Sequence, residues 1–343
     1  MATQTLDNSK QIISYSHKVK RLPYIDNIKG FGMILVVLGH VINAYSTEDS
    51  YNNNVFMDFV SIFYMKMFFY FSGFVYVFKN IKSKDFILDS FKALIWPCLM
   101  IWGGNMLGIM IIRIIHGESP LFVLPKSEYI NFYWFCKCLF LSRIVLFLTC
   151  KLFEQNNKSV ICVLLSNIFF VLILYLPIGV DIPWGFKTIH LYYVLGYVIK
   201  SHNILDAKKQ SILFASAVLL VVLCILRYSI NSYPLVHKLT FVVLPVPIIV
   251  LIYYIFKGFL NEVLFLTEIG RKSLMIYLLH LCILSLFYHI LDYYFDRSLM
   301  YNFVSWMIVF TFLLFASYQG AKYILKNRVC TKILFLQNNH GEK

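Results

Sequence analysis

The chain has 343 residues, of which 59% are hydrophobic and 14% charged, with a formal net charge of +14. A soluble domain has roughly 45–50% apolar and about 25% charged residues, so this composition excludes an ordinary soluble fold and defines a polytopic membrane protein. The basic residues fall in short clusters between apolar runs, which fits membrane topology and excludes nucleic-acid binding.

The first 24 residues are polar and basic and carry no cleavable signal pattern, so the first apolar run is expected to remain as a helix. A spanning helix needs roughly 20 mostly apolar residues. Ten stretches qualify, centred on 27–46, 55–78, 91–112, 132–150, 159–177, 185–199, 211–230, 239–256, 272–292 and 300–321. The sixth is the shortest and opens on the turn-like IPWG at 182–185. The expected fold is all-α and integral to the membrane, with about ten spans. It divides into a polar basic arm (1–24), one membrane domain (25–325) and a basic tail (326–343).

With the N-terminus inside, the cytoplasmic segments hold 22 Lys and Arg, from the five in 1–29 to the five from Lys322 onward. The other side holds six: Arg113, Lys126, Lys187, Arg227, Lys238 and Arg297. That asymmetry predicts both termini in the cytoplasm. The eight cysteines (98, 136, 138, 150, 162, 224, 282 and 330) lie in or beside apolar runs and read as small buried hydrophobes. Cys136 and Cys138 point about 200° apart on a helix, which argues against a metal pair, and no metal is expected.

The first span, IDNIKGFGMILVVLGHV (25–41), carries Lys29 at its start and His40 deep inside. Eleven residues turn about 1100°, so the two share a face about 16 Å apart. Asp26 lies on that side and is expected to pair with Lys29; Asn43 is expected to partner the His40 ring. Asp26 is about 21 Å from His40, so an Asp–His couple within this helix is excluded. In the ninth span His280 lies nine residues from Arg271, at a similar depth, on a stripe with Ser273 and Tyr277. Two histidines entering from one side point to a shared cavity.

Lys66, Lys137 and Arg143 are ionisable groups within spans, each costing roughly 2.5–3.5 kcal/mol at a helix centre, and are expected to turn inward. Lys66 shares a face with Tyr70 and Gly73, with Ser72 beside them; glycine there admits a ligand or a neighbouring backbone. A neutral imidazole can take a proton from an attacking hydroxyl, and Lys66 or Tyr277 is placed to stabilise the resulting oxyanion. Such parts suit acyl transfer, and proton-coupled transport as well.

RLPYIDNIKGFGMILVVLGH (21–40) resembles the opening motif of the membrane acyltransferase family 3, ten-helix O-acyltransferases of bacterial surface glycans. That family has a basic residue, ten intervening positions and a histidine, which Lys29 and His40 match; Asp26 matches its upstream Asp. FYMKMFFYFSGF (63–74) is similar to its second-helix motif, and EIGRKSLMIYLLH (268–280) to its late G-R-x-S-L-x-I-Y-x-x-H motif. NFYWFCKCLF (131–140), with Trp134, is similar to its fourth-helix opening, and IPWGF…LGYVI (182–199) to a looser signature. The second motif departs from the usual His-Met-Pro, reading Tyr64-Met65-Lys66. The segment after it, often arginine-rich, carries Lys79, Lys82, Lys84 and Lys92, which bind phosphate as point charges without a bidentate fork.

The resemblance implies transfer of an acyl group, commonly acetyl from acetyl-CoA as co-substrate with no bound cofactor, to a sugar hydroxyl of a surface polysaccharide or its lipid-linked precursor. It implies His40 as base or transient acyl carrier, with His280 and Lys66 as further catalytic candidates. Lys29, Asp26, Lys79, Lys82, Lys92 and Arg271 would hold the donor, with Asn43, Tyr64, Ser72, Gly73, Tyr277, Arg143 and Trp134 in support. The implied location is the bacterial cytoplasmic membrane. A lipid-linked glycan transporter or flippase is the alternative; a polymerase would need larger outer loops than the 113–131 stretch.

Overall fold

The computed structural model of the chain describes residues 21–45, 55–117, 133–153, 160–175, 185–207, 209–229, 233–294 and 302–336. The N-terminal arm before residue 21, the end of the tail, most of the 113–131 loop, the IPW of the 182–185 turn, and Lys126, Lys158, Lys208 and Arg297 lie outside the described residues. Within them every regular element is helical.

In chain order the helices are α1 (Pro23–Ala44), α2 (Val55–Phe74), α3 (Ser83–Ser90), α4 (Trp96–Ile115), α5 (Trp134–Phe153), α6 (Val160–Ile173) and α7 (Phe186–Ser201). There follow α8 (Ile204–Ala207), α9 (Lys209–Ser229), α10 (Pro234–Val243), α11 (Pro245–Gly258), α12 (Leu264–Arg271), α13 (Ser273–Tyr294), α14 (Phe303–Lys326) and α15 (Arg328–Phe335). Pro at the first or second position of α1 and α10 fits those starts, where its missing N–H costs nothing.

Helix occupies each of the ten apolar stretches, but the expected ten spans are not all long, apolar crossings. Among the described residues five are, and six if the bent pair α12–α13 counts as one. α6 has 14 residues and α7 has 16, short of the roughly 20 a perpendicular crossing needs. α5 carries Lys137, Arg143 and Lys151.

Two boundaries also differ from expectation. The third span begins at Ser83, eight residues earlier than expected, because α3 runs into α4 through a π-wound turn at Phe91–Ile95. Pro97 there leaves the Ala93 carbonyl without its usual donor, and the widened turn absorbs the mismatch. The eighth is broken into α10 and α11 at Leu244, where Pro245 and Pro247 each remove a backbone donor.

α1 is the centre of the bundle: 67% of its apolar window is buried, against 17% in α9 and α14. Its neighbours are α12, α2, α14, α11 and α13. α12 runs antiparallel to α1 at a separation only glycine allows, since a Cβ at Gly30 would overlap the Leu266 carbonyl and one at Gly270 the Asp26 carbonyl. α2 and α7 meet in the same way, through Gly73 against Tyr193 and Gly196 against Tyr70. The glycine expected to admit a ligand or a backbone at position 73 thus admits a backbone.

The outer surfaces of α4, α6, α9 and α14 are apolar: Leu107, Phe169, Phe214 and Phe315 are all more than 60% exposed. A water-facing helix would be polar on that side, so these faces fit hydrocarbon. At one edge Asp206 of α8 accepts from Lys257 and Tyr253 of α11, and the lysine beside it holds its carboxyl below the usual carboxylate range. The described thiols are all free.

Candidate active site

The 76° bend between α12 and α13 lets one short segment do two jobs. α12 lies flat along the start of α1, and α13 then turns to run beside it. This brings the late motif onto the first one. Asp26 faces Arg271, its Oδ2 3.5 Å from the arginine Nε, an ion pair without hydrogen-bond geometry. Asp26 also interacts electrostatically with Lys29, and it gains a second cation from the α12 turn, which the glycine contact holds against it. Arg271 and Lys272 also pair with Glu268. Asn27, fully buried, donates to the Leu260 and Asn261 carbonyls and accepts from Thr267, locking the two motifs together. Lys29 is half-buried at the same end of α1.

Three turns further along, His40 of α1 and His280 of α13 meet with ring centroids 5.2 Å apart and planes inclined by 50°. His280 is fully buried. Its Nδ1 lies 3.1 Å from the Ile276 carbonyl, which can only accept, so this bond assigns the proton to Nδ1 and leaves a lone pair on Nε2. Nε2 is buried with no partner. A backbone carbonyl thereby fixes the tautomer and aims a basic nitrogen. His40 is half-buried. Its expected partner Asn43 is exposed instead, while its neighbours Val41, Ile42 and Tyr45 stay buried.

Tyr277 stands beside the pair, 5.6 Å from the His280 ring, and packs against Phe135 at 5.0 Å and Tyr133 at 6.4 Å. Tyr133 shares a 3.2 Å hydrogen bond with Cys282. Tyr64, which stands where the family motif usually has histidine, is half-buried on α2 and lies within electrostatic reach of Tyr277. Ser273 and Ser72 are half-buried.

Lys66 departs from expectation. Its ammonium donates to the Ile62 carbonyl at 2.7 Å and the Phe241 carbonyl at 2.8 Å, and lies 3.3 Å from the centre of the Phe241 ring. Those contacts lie on α2 and α10, and none is with His40 or His280. Phe241 has no backbone donor four residues on, because that residue is Pro245. Lys66 supplies the missing proton donor, and the Tyr192 hydroxyl donates to the neighbouring Val242 carbonyl. Nearby, Arg227 is 2% exposed and pairs with Asp58 at 2.7 Å.

Arg143 lies beneath the segment that follows Lys79 and Lys82. Its guanidinium is 5.6 Å from the Phe86 ring, which stacks on Phe147 at 4.0 Å, and its Nε is buried without a partner. Lys151 holds the same segment through the Ile81 carbonyl and Ser83. Lys79 and Lys82 are exposed and Lys92 half-buried. Trp134 opens α5 against the start of α7, 4.0 Å from where a Cβ at Gly185 would lie.

A buried relay absent from the sequence expectations joins three helices: His190 Nε2 to Asn167 Oδ1 at 2.9 Å, and Asn167 Nδ2 to Thr149 at 3.0 Å. Its only sequence trace is a histidine in the short sixth span. No group of three or more His, Cys, Asp or Glu among the described residues is placed to hold a metal.

A helical membrane protein with a pair of imidazoles three turns from a glycine-locked, charged mouth is the class defined so far. The acyltransferase domain family model matches residues 22–321, and the chain belongs to that family, acyltransferase family 3. No solved structure and no curated protein shows significant similarity to it.

Proposed function

We propose that this membrane acyltransferase is an O-acyltransferase of the bacterial cytoplasmic membrane. It moves an acyl group, acetyl in the simplest case, from acyl-CoA to a sugar hydroxyl of a surface polysaccharide or its lipid-linked precursor. The observation that carries this reading is the contact between His40 and His280, two ionisable rings 5.2 Å apart inside an apolar bundle. Intramembrane ionisable groups are costly and mark function by default.

In the reaction an imidazole nitrogen accepts the proton of the acceptor hydroxyl as its oxygen forms a bond to the thioester carbonyl carbon. The carbon–sulfur bond then breaks, and the thiolate of CoA leaves with the proton that the imidazolium returns. His40, half-buried and the more accessible ring, acts as this base or as a transient acyl carrier. His280, its tautomer fixed by Ile276, orients and supports it. Lys29 and Arg271 with Asp26, together with Lys79, Lys82, Lys92 and Arg143, draw the phosphates of the donor to the mouth, where charge-assisted hydrogen bonds are strongest. Tyr277 closes one side of the pair. Lys66 is assigned to the α10–α11 break rather than to the oxyanion.

The test is His40→Ala in membranes supplied with labelled acetyl-CoA. Transfer of label to the glycan should fall by about 10²-fold or more, the scale of a lost general base, while the protein accumulates normally. Undiminished labelling would remove His40 from the mechanism. Glycan translocation with no covalent change would favour a transporter.

A further inference from the structure

α14 starts near the far end of α1, where the Trp306 indole donates to the Tyr45 carbonyl at 2.8 Å, and runs to the charged mouth. There Lys272 lies 5.2 Å from the ring of Tyr318, near the end of α14. α15 follows directly and therefore lies at the mouth end of the bundle. It is a separate, capped helix. Asn327 has extended backbone, which stops α14, and its carboxamide accepts from the Val329 and Cys330 N–H groups. Trp96, at the start of α4, donates its indole N–H to the Ile333 carbonyl at 2.8 Å and ties α15 to the bundle.

Around α15 the side chains fall into three sectors, at about 100° per residue. Leu334 is buried, with Cys330, Thr331 and Phe335 half-buried on the side that packs on α14 and α4. Arg328 and Lys332, one turn apart, are exposed. Val329 and Ile333, also one turn apart, are 64% and 50% exposed, and lie about 100° further round. The outward surface is thus half cationic and half aliphatic, divided along the helix axis.

That division selects what covers it. A helix facing water would be polar in both outward sectors, and a helix within hydrocarbon would carry no cation in either. A helix lying in the plane of a bilayer surface needs both: aliphatic side chains among the acyl chains and cations at headgroup level. The charge then selects the lipid. Lys322 and Lys326 of α14 are exposed as well, and the sequence holds no Asp or Glu between Asp296 and Glu342. A run of cations without acids at a bilayer surface attracts anionic headgroups.

We propose that α15 is a docking surface for anionic phospholipid. The helix lies in the headgroup layer, with Val329 and Ile333 towards the acyl chains and Arg328 and Lys332 on lipid phosphates.

The experiment places the purified full-length protein in phosphatidylcholine vesicles containing brominated phosphatidylglycerol or, in a parallel set, brominated phosphatidylcholine. Bromine quenches tryptophan emission on contact, and the emission lost in Trp96→Phe isolates the indole that touches α15. In wild type the quenching should show a preference for phosphatidylglycerol of about fivefold or more, the scale of one cation at a charged surface. With Arg328→Gln and Lys332→Gln together the preference should fall towards one. Ile333→Asn keeps both cations and should weaken quenching by both lipids. Inorganic phosphate added to phosphatidylcholine vesicles should not change the Trp96 signal, which separates a lipid headgroup from a free anion. Equal quenching by the two lipids in wild type overturns the proposal. A preference unchanged in the double variant also overturns it, since other cations would then select the lipid. No quenching by either lipid places this face against water or another protein and overturns it too. If Trp96→Phe fails to accumulate, the thermal midpoint decides: the rise on adding phosphatidylglycerol should be present in wild type and lost in the double variant, and its persistence there overturns the proposal.

Discussion

At Phe241 the backbone carbonyl has no donor of its own, because Pro245 carries no N–H, and the ammonium of Lys66 reaches across from α2 to supply one. A charge in this position looks catalytic in a sequence, since an intramembrane lysine is rare and expensive. Its partners show a different use. Lys66→Met should lower the stability of the purified protein by about 2 kcal/mol, the loss of a charged hydrogen bond with a carbonyl left unsatisfied. That would appear as a lower thermal midpoint in detergent. Acyl transfer per folded molecule should stay within a few fold of wild type, unlike the loss expected from His40→Ala. The same reasoning separates His280 from an ordinary packed histidine: Ile276 occupies one nitrogen and leaves the other aimed and unpartnered.

Among elements, the glycine contacts decide what meets what. Gly30 and Gly270 bring α1 and α12 together closely enough to set Asp26 beside Arg271. Gly73 and Gly196 do the same for α2 and α7. Close backbone approach of this kind is how helices associate where lipid removes the hydrophobic drive between them. Gly73→Ala would place a methyl group into the Tyr193 carbonyl, forcing the helices apart at a cost of about 1–3 kcal/mol or more. Gly103→Ala on α4 meets nothing within 4 Å and should be neutral or stabilising by about 0.5–1 kcal/mol. Thermal unfolding of the two variants side by side checks the contrast. Breaks matter as much as contacts: the 76° bend at Lys272 separates α12, packed on the start of α1, from α13, which carries His280 inward.

For the molecule as a whole, a buried α1 is ringed by helices whose outer faces are apolar. Val221, in the middle of α9, is 58% exposed. On a soluble protein Val221→Arg would be an unremarkable surface change; facing hydrocarbon it should cost roughly 2.5–3.5 kcal/mol in insertion. Reduced accumulation in the membrane fraction, with no such loss for an arginine at exposed Lys79, is the expected result.

Composition and hydropathy by themselves determined the all-helical membrane class, and the spacing of Lys29 and His40 determined that one helix carries both a charged mouth and a deep imidazole. Both follow from periodicity, which is local. The motif at 268–280 was legible too, and it placed His280 at a depth where it could meet His40. What the tertiary structure alone decided are the pairings. Asp26 gains Arg271 as an ion-pair partner in addition to Lys29, because the contact of Gly270 with the Asp26 backbone brings the guanidinium in. Asn43 faces outward, and Lys66 serves a proline break in another helix. Asn167 carried no signal in the sequence, since an asparagine in an apolar run becomes conspicuous only when the partners that satisfy it, here His190 and Thr149, are known. Hydrogen-bond partners in a membrane bundle come from other helices, and no helical wheel contains them.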